Sequence, residues 1–256
     1  MTPDTTARTA KAAKAGPPRT GEPKTGDLRA RMLEAAEALL NASPGNDVST
    51  RAVCEAVGVT QPILYRLFGD KNGLLMALVT HGFERYISRK QALEATDDPV
   101  ADLRAGWNDH TDFALTNRAL YRLMFSPVLP EVPEPANRIF ELLKQTLERC
   151  AAVGAVKIPT EEAAQAILSA NVGVALSILS QPERFADPLL STRVRDAVFA
   201  SCLDESAAPR SFSAADDPSR AALALAAQLK QQPPAALHPT ETALLLHWLA
   251  RLHPAP

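Results

Sequence analysis

Cysteine is scarce. The three in 256 residues, Cys54, Cys150 and Cys202, stand far apart, each in a stretch of helical pattern. An odd, widely spaced set excludes a disulfide framework and a zinc site, and leaves these thiols as small buried hydrophobes. The five histidines are scattered, with three at 238, 247 and 253, so none pairs at metal-ligand spacing. There is no glycine-rich phosphate loop and no G-x-S-x-G elbow. Asp109, His110 and Asp112 come nearest to a titratable cluster. On a helix, however, the two aspartates share a face while His110 points about 100° away from Asp109. No catalytic, metal or cofactor site is therefore expected. No uninterrupted apolar run approaches the ~18 residues of a membrane span. The opening MTPDTTARTAKAAKAG lacks the apolar segment of a signal peptide, so a cytoplasmic location is expected.

What the chain does have is 46% hydrophobic residues, enough to bury a sizeable core in one large or two small domains. Its net charge of −2 is unevenly laid out. Residues 1–26 hold five Lys/Arg against two acids, residues 27–90 eight against seven, and the remainder 14 against 20. One end is thus suited to face phosphate and the other is not. The middle segment is barely positive, which predicts weak, salt-sensitive non-specific affinity for nucleic acid.

The organising stretch is STRAVCEAVGVTQPILYRLFGDKNGLL, residues 49–75. Ser49 is an N-cap candidate for a helix with Val53 and Val57 inward, and Gly58 ends it in the left-handed conformation. After Val59, Thr60 is expected to cap a second helix whose first turn accepts Pro62. This is a helix, a tight turn and a helix, the arrangement that pushes the start of its second helix into the major groove of DNA. Gln61 sits at that start. Tyr65, one turn on, can wedge its ring against Leu64 and Phe68 while its hydroxyl reaches a phosphate. Lys71 opens the next helix, where its ammonium and exposed backbone N–H groups can hold a phosphate together.

These residues resemble the tetracycline-repressor (TetR) family of bacterial transcription regulators. The likeness rests on the capping Ser49, the pair Val53-Cys54, the turn Gly58-Val59, and then Leu64-Tyr65, Phe68 and Lys71. Cys54 and Val57 stand where the family usually has alanine. Leu67 stands where it often has histidine, which removes a phosphate contact. The resemblance implies an all-α protein with a helix-turn-helix DNA-binding domain over 27–93; residues 1–26, rich in Ala, Thr, Pro, Gly and Lys with no apolar period, read as a disordered basic tail before it. A long helix, expected over 70–93, leads from it to a C-terminal ligand-binding and dimerisation domain over 94–256. The expected DNA contacts are Thr50, Arg51, Gln61 and Ile63 near bases, and Ser49, Thr60, Tyr65 and Lys71 on phosphates, with Pro62 and Arg66 beside them.

Before this stretch, Met32, Leu33, Ala36, Leu39 and Leu40 give a helix over 27–41 one apolar face, and Arg29 and Arg31 near its start suit a phosphate contact and an exposed helix face equally well. Beyond it, a helix over 99–117 carries Val100, Leu103, Trp107, His110 and Ala114 at steps of three or four. A short helix over 118–125 adds Tyr121, Met124 and Phe125. In the TetR family such helices line a cavity for a small inducing molecule. The resemblance therefore implies a ligand site from Leu103, Trp107, His110, Phe113, Tyr121, Met124, Phe125, Phe140 and Asn171, although an aromatic stripe at this spacing also serves a filled core.

A Pro-rich loop over 127–135 precedes an amphipathic helix over 136–153. Thr160 is then expected to cap a helix running to 180, whose small residues Ala166, Ala170, Gly173 and Ser177 lie beside Val174. The following helix, near 188–203, offers Leu190, Val194, Ala197 and Val198. The family dimerises by packing such a pair against its twofold copy. A loop over 210–215, a helix over 218–231 and a last helix over 239–252 with a Leu244, Leu245, Trp248, Leu252 stripe complete the chain. That tail can cap the ligand domain, extend the dimer contact or form a lid. The expected protein is a homodimeric repressor that binds a palindromic operator in double-stranded DNA and is released by a small, largely apolar effector. The alternative is a DNA-bound regulator that ignores small molecules and docks another protein, for which a tightly filled interior would speak.

Overall fold

The computed structural model describes residues 25–43, 47–125, 133–204 and 218–252, and within them the chain is all-α. Eleven helices follow one another there: α1 (Thr25–Ala42), α2 (Thr50–Val57), α3 (Gln61–Phe68), α4 (Lys71–Gln91), α5 (Pro99–Thr116), α6 (Arg118–Met124), α7 (Glu134–Ala152), α8 (Thr160–Ser180), α9 (Leu190–Cys202), α10 (Pro218–Gln231) and α11 (Pro239–Arg251). A single isolated bridge, Val156 with Leu203, is the β pairing among the described residues. The tail over 1–24, the loop residues 127–132 and the loop at 210–215 lie outside the described residues.

Capping chemistry sets most boundaries. Ser49 accepts from the Ala52 N–H at 3.3 Å to start α2, and Gly58 ends it at φ 76°, returning its N–H to the Cys54 and Glu55 carbonyls. Asp70 starts α4 by accepting from the Gly73 N–H at 2.7 Å. Asp98 starts α5 through the N–H groups of Val100 and Ala101.

Two expected caps are not made. Thr60 occupies the N-cap position of α3, but its side chain bonds nothing there. The reason is Pro62, which has no N–H to offer, while the next donor, Ile63, is already bound to the Thr60 carbonyl at 3.0 Å. At α8 the N-cap is Pro159, so Thr160 is itself the first helical residue and caps nothing.

The buried apolar residues form two clusters. In the first, Met32, Leu33, Ala36 and Leu40 of α1 meet Val53 and Cys54 of α2, Leu64 of α3, and Leu74 and Leu78 of α4. This cluster climbs α4 through Phe83, Tyr86 and Ile87 to Phe113 of α5 and Leu120, Tyr121 and Met124 of α6. The apolar packing is thus continuous across residue 93. At Gly82 the two helices approach so closely that a Cβ would lie 2.9 Å from Met124 Sδ. The second cluster joins Leu103 and Trp107 of α5 to Leu147 and Cys150 of α7, Ile167 and Val174 of α8, and Phe199 and Cys202 of α9.

α10 packs on α7 and α11 on α10. The stripe read over 239–252 turns outward, with Trp248 55% exposed. α8 is long and apolar enough to cross a bilayer by length and composition, with mean hydropathy 1.6. Here it packs against α5, α7 and α9. All three cysteines are buried and unpaired. The Cys150 thiol donates to the Pro99 carbonyl at 3.3 Å, and burial pushes it up to about 12. Burial raises Cys54 as well.

Candidate nucleic-acid interface and small-molecule cavity

The turn between α2 and α3 puts one set of polar side chains on one surface. Ser49, Arg51, Thr60, Gln61, Pro62, Tyr65 and Arg66 are exposed, and Thr50, Ile63 and Lys71 are half-buried at its edge. Leu64, on the opposite side of α3, is fully buried. Its burial, worth about 1.5–3 kcal/mol, fixes which way the rest of α3 points. The Thr60 side chain makes no cap hydrogen bond, and its O–H can donate to an acceptor outside the protein.

Two of the cations here are tethered. Arg51 Nε lies 2.8 Å from Glu55 Oε1, and Lys71 Nζ lies 2.6 Å from Asp47 Oδ1, whose acid its ammonium holds below the usual range. Pairs this exposed are weak, so a phosphate or base edge can replace either carboxylate. Arg66 has no ion-pair partner among the described residues. Arg29 and Arg31 support the unit instead: Arg29 lies over the Phe68 ring at 5.3 Å and Arg31 donates to the Val57 carbonyl at 3.3 Å.

The α3–α4 turn is sterically exacting. A Cβ at Gly73 would stand 1.8 Å from the Phe68 carbonyl oxygen, and Gly69 holds φ 81°. Neither glycine was singled out from the sequence, although the G-D-K-N-G run carries them.

A half-open cavity of about 510 Å³ lies at the seam between the two apolar clusters. Leu103, Trp107, His110 and Asn171, all expected at a ligand site, line it. Phe113, Tyr121 and Met124 do not. They are packed into the first cluster, with Phe125 against it and Phe140 against the second. α5 lies between both clusters, and a helical stripe cannot say which of its sides is hollow. The rest of the wall includes Leu142 and Leu143 of α7 and Ile167 and Leu168 of α8. Polar groups that the sequence reading missed complete it: Tyr86 and Lys90 of α4, Glu94 and Thr96 of the connector, Asp102, Gln145 and Arg149. Arg149, in the wall, donates to Asp102 Oδ2 at 2.7 Å and to the Thr96 carbonyl. Burial by itself raises Asp102, but Thr96 and Arg149 outweigh it and hold this acid below its ordinary value.

The end of α4 is joined to its neighbours by buried polar links. His110 bridges two tyrosines, with Nδ1 2.7 Å from Tyr86 Oη and Nε2 2.6 Å from Tyr121 Oη. Burial, reinforced by the Lys90 charge, depresses the His110 imidazole to about 3, so it is neutral at pH 7. One tyrosine must then donate to its bare nitrogen and the other accept from its N–H. Lys90 Nζ donates to the Gly106 carbonyl at 2.5 Å, lies 2.8 Å from Asp109 Oδ2, and faces the Tyr86 ring at 5.1 Å. Arg89 bonds the other Asp109 oxygen. Burial pushes Asp109 up, yet its two cations more than compensate and leave it lowered. Asp112 is exposed and outside this group, and no cluster of three or more metal-ligating side chains occurs among the described residues.

Along α8 and α9, Gly173 and Ala197 are exposed, while Ala166, Ala170, Ser177, Leu190, Val194 and Val198 are half-buried. Val174 alone of the expected contact set is buried within the chain.

Two family profiles match this chain: residues 32–78 match bacterial regulatory proteins of the tetR family, and residues 103–253 match the tetracyclin repressor-like C-terminal domain. None of the curated proteins compared matches it. Among solved structures it is similar to the fatty acid degradation regulator FadR of Bacillus halodurans, at 20% identity and TM-score 0.56, covering 69% of this chain and 97% of that one. It is also similar to NalD of Pseudomonas aeruginosa, the secondary repressor of the MexAB-OprM multidrug efflux pump, at 18% identity and TM-score 0.53, covering 71% and 100%. A TetR variant of Acinetobacter baumannii in complex with minocycline shares 22% identity at TM-score 0.51, covering 66% and 93%.

Proposed function

Because the chain belongs to the tetR family of bacterial regulatory proteins, and is a transcription regulator on that ground, we propose that it is a cytoplasmic, homodimeric repressor. It reads a palindromic operator and leaves it on binding a small, largely apolar molecule. Each protomer places the start of α3 in the major groove of one half-site, with Thr50, Arg51, Gln61 and Ile63 at base edges. Arg51 takes a guanine bidentately, exchanging Glu55 for it, and Ile63 meets a thymine methyl. Ser49, Thr60, Tyr65, Arg66 and Lys71 fix the register on phosphates. The small-residue face of α8 and α9 meets its twofold copy.

The observation that carries the effector reading is the position of the cavity wall. Tyr86 and Lys90 belong to α4, whose first residue is Lys71 at the reading surface, and Glu94 and Thr96 belong to the connector that follows it. A molecule in the cavity therefore touches the same helix that carries the reading unit. Displacing its end changes the separation of the two readers, which DNA fixes at one helical turn or a multiple. A space of about 510 Å³ favours this over a regulator that only docks another protein.

The test is selection of bound duplexes from random DNA with the full-length chain. Two inverted half-sites with centres about 34 Å apart, or a multiple, are expected. A single asymmetric site would refute the dimeric reading.

A further inference from the structure

Tyr86, His110 and Tyr121 hold one proton more than their mutual bonds use. Tyr86 Oη lies 2.7 Å from His110 Nδ1, and His110 Nε2 lies 2.6 Å from Tyr121 Oη. Neither nitrogen is bonded to a carboxylate, and the buried imidazole is neutral, with a single N–H. That N–H and the two tyrosine O–H groups make three donors for two bonds. One tyrosine therefore accepts from the imidazole and keeps an O–H that this row does not use.

The surroundings decide which tyrosine it is. Tyr121 is fully buried in the first apolar cluster and is not part of the cavity wall, and among the described residues its hydroxyl bonds His110 alone. A spare donor there would bear the whole cost of its desolvation. Tyr86 and His110 are both in the wall. The favoured arrangement thus has Tyr121 donating to Nε2, Nδ1–H donating to Tyr86, and the Tyr86 O–H left for whatever occupies the cavity.

The charged groups of the wall ask for nothing. Lys90 and Arg149 cancel Glu94 and Asp102. Each cation already has a carboxylate, Lys90 that of Asp109 at 2.8 Å and Arg149 that of Asp102 at 2.7 Å. Asn171 is tied at both ends of its amide, to the Trp107 carbonyl and the Thr111 hydroxyl. An ionic guest would have to displace one of these partners, whereas an uncharged one leaves them in place. Leu103, Trp107, Leu142, Ile167 and Leu168 supply an apolar lining.

We propose that the effector is an uncharged molecule with an apolar body and a carbonyl acceptor, as in a ketone or ester, which takes the O–H of Tyr86. This rests on the cavity being the effector site. The contact falls on α4 at the hydroxyl that also joins it to α5, so the bound molecule bears on the helix that carries the reading unit.

Two measurements on the full-length chain test the assignment. In a long-range proton–nitrogen correlation spectrum of histidine-labelled protein, with His110 identified by the signal missing from His110→Gln, the ring proton is expected on Nδ1. A proton on Nε2 would overturn the assignment. Calorimetry then compares phenyl propyl ketone with butylbenzene, which has a methylene in place of the carbonyl, and with phenylbutanoate and phenylbutylamine as charged relatives. The ketone is expected to bind roughly ten-fold more tightly than the other three, and to fall to the level of butylbenzene in Tyr86→Phe. Equal binding of ketone and hydrocarbon, preference for either ion, a ketone preference that survives Tyr86→Phe, or no binding of any member would overturn it. Should Tyr86→Phe not fold, the proton position and the ketone-to-hydrocarbon ratio in the unmodified protein decide. Release of a fluorescent operator is followed separately. If the ketone binds through Tyr86 but the operator stays bound, the head-group assignment stands and the release mechanism of the repressor fails.

Discussion

Leu64, at the centre of the reading unit, is fully buried against its neighbours, whereas Leu142 and Leu143, no less apolar, stand along an open space of about 510 Å³. The reading unit spends its apolar side chains on a filled core and leaves polar donors outside, so its surface geometry is rigid. The body does the reverse at its centre: it keeps two filled clusters and leaves the seam between them hollow. α4 runs through both regimes. Apolar packing runs along it from Leu74 and Leu78 to Phe83, Tyr86 and Ile87, and towards its end hydrogen bonds and ion pairs from Tyr86, Arg89 and Lys90 are added. Apolar packing tolerates little displacement. A polar link can exchange one partner for another, so the adjustable end of α4 is the one beside the cavity.

The sharpest way to break this contrast is one substitution made in both places. Gly73→Ala forces a Cβ against the Phe68 carbonyl and should cost about 3 kcal/mol or more, with loss of operator binding. Gly106→Ala, in the cavity wall with nothing within 4 Å of the added carbon, should gain about 0.5–1 kcal/mol from helix propensity. Urea denaturation of both variants decides it, and equal losses would remove the distinction. Next in size, Leu64→Ala should lose about 2–5 kcal/mol. Leu143→Ala, already half-open, should lose about 1 kcal/mol or less.

The polar junction can be tested by pH. The folded protein keeps His110 neutral down to about 3, while the unfolded chain protonates it near its ordinary 6.5. The unfolded state therefore binds the extra proton between those values. The stabilisation is complete above pH 6.5 and is lost as pH falls towards 3, by up to about 1.4 kcal/mol per pH unit. His110→Gln should flatten that part of the urea-midpoint profile, and identical profiles would exclude the junction as its source. At the reading surface the effect expected is on binding rather than folding: Arg51→Ala should weaken binding roughly ten-fold at one base position with little change in stability. Unchanged affinity and base preference would remove Arg51 from the readers.

Much of this was legible in the chain because it is local. Ser49, Gly58 and the apolar Leu64 beside Tyr65 and Phe68 declare their roles through their neighbours, and the helix order follows from prolines and apolar steps. The failures have local causes too. Thr60 looked like a cap, yet Pro62 withholds the donor it needed, and Thr160 was displaced from capping by Pro159. The cavity was legible only in part. Its wall is made where four helices and a connector converge, and Lys90, Thr96, Asp102 and Arg149 had ordinary local explanations as helix-end charges and exposed positions. Which side of α5 stays hollow depends on how α4, α6 and α7 divide the space, and no spacing within one helix carries that.

The burial of Cys54, Cys150 and Cys202 has a practical outcome. Their thiols lie inside packed helices, with Cys54 and Cys150 made still less reactive by their surroundings. A single new cysteine at exposed Asn72, in the first turn of α4, would stand alone to an alkylating reagent. A spin label attached there would turn each chain of the proposed dimer into one end of a ruler, and the distance between the two ends could be read with and without a small molecule in the cavity, no native cysteine having first been removed.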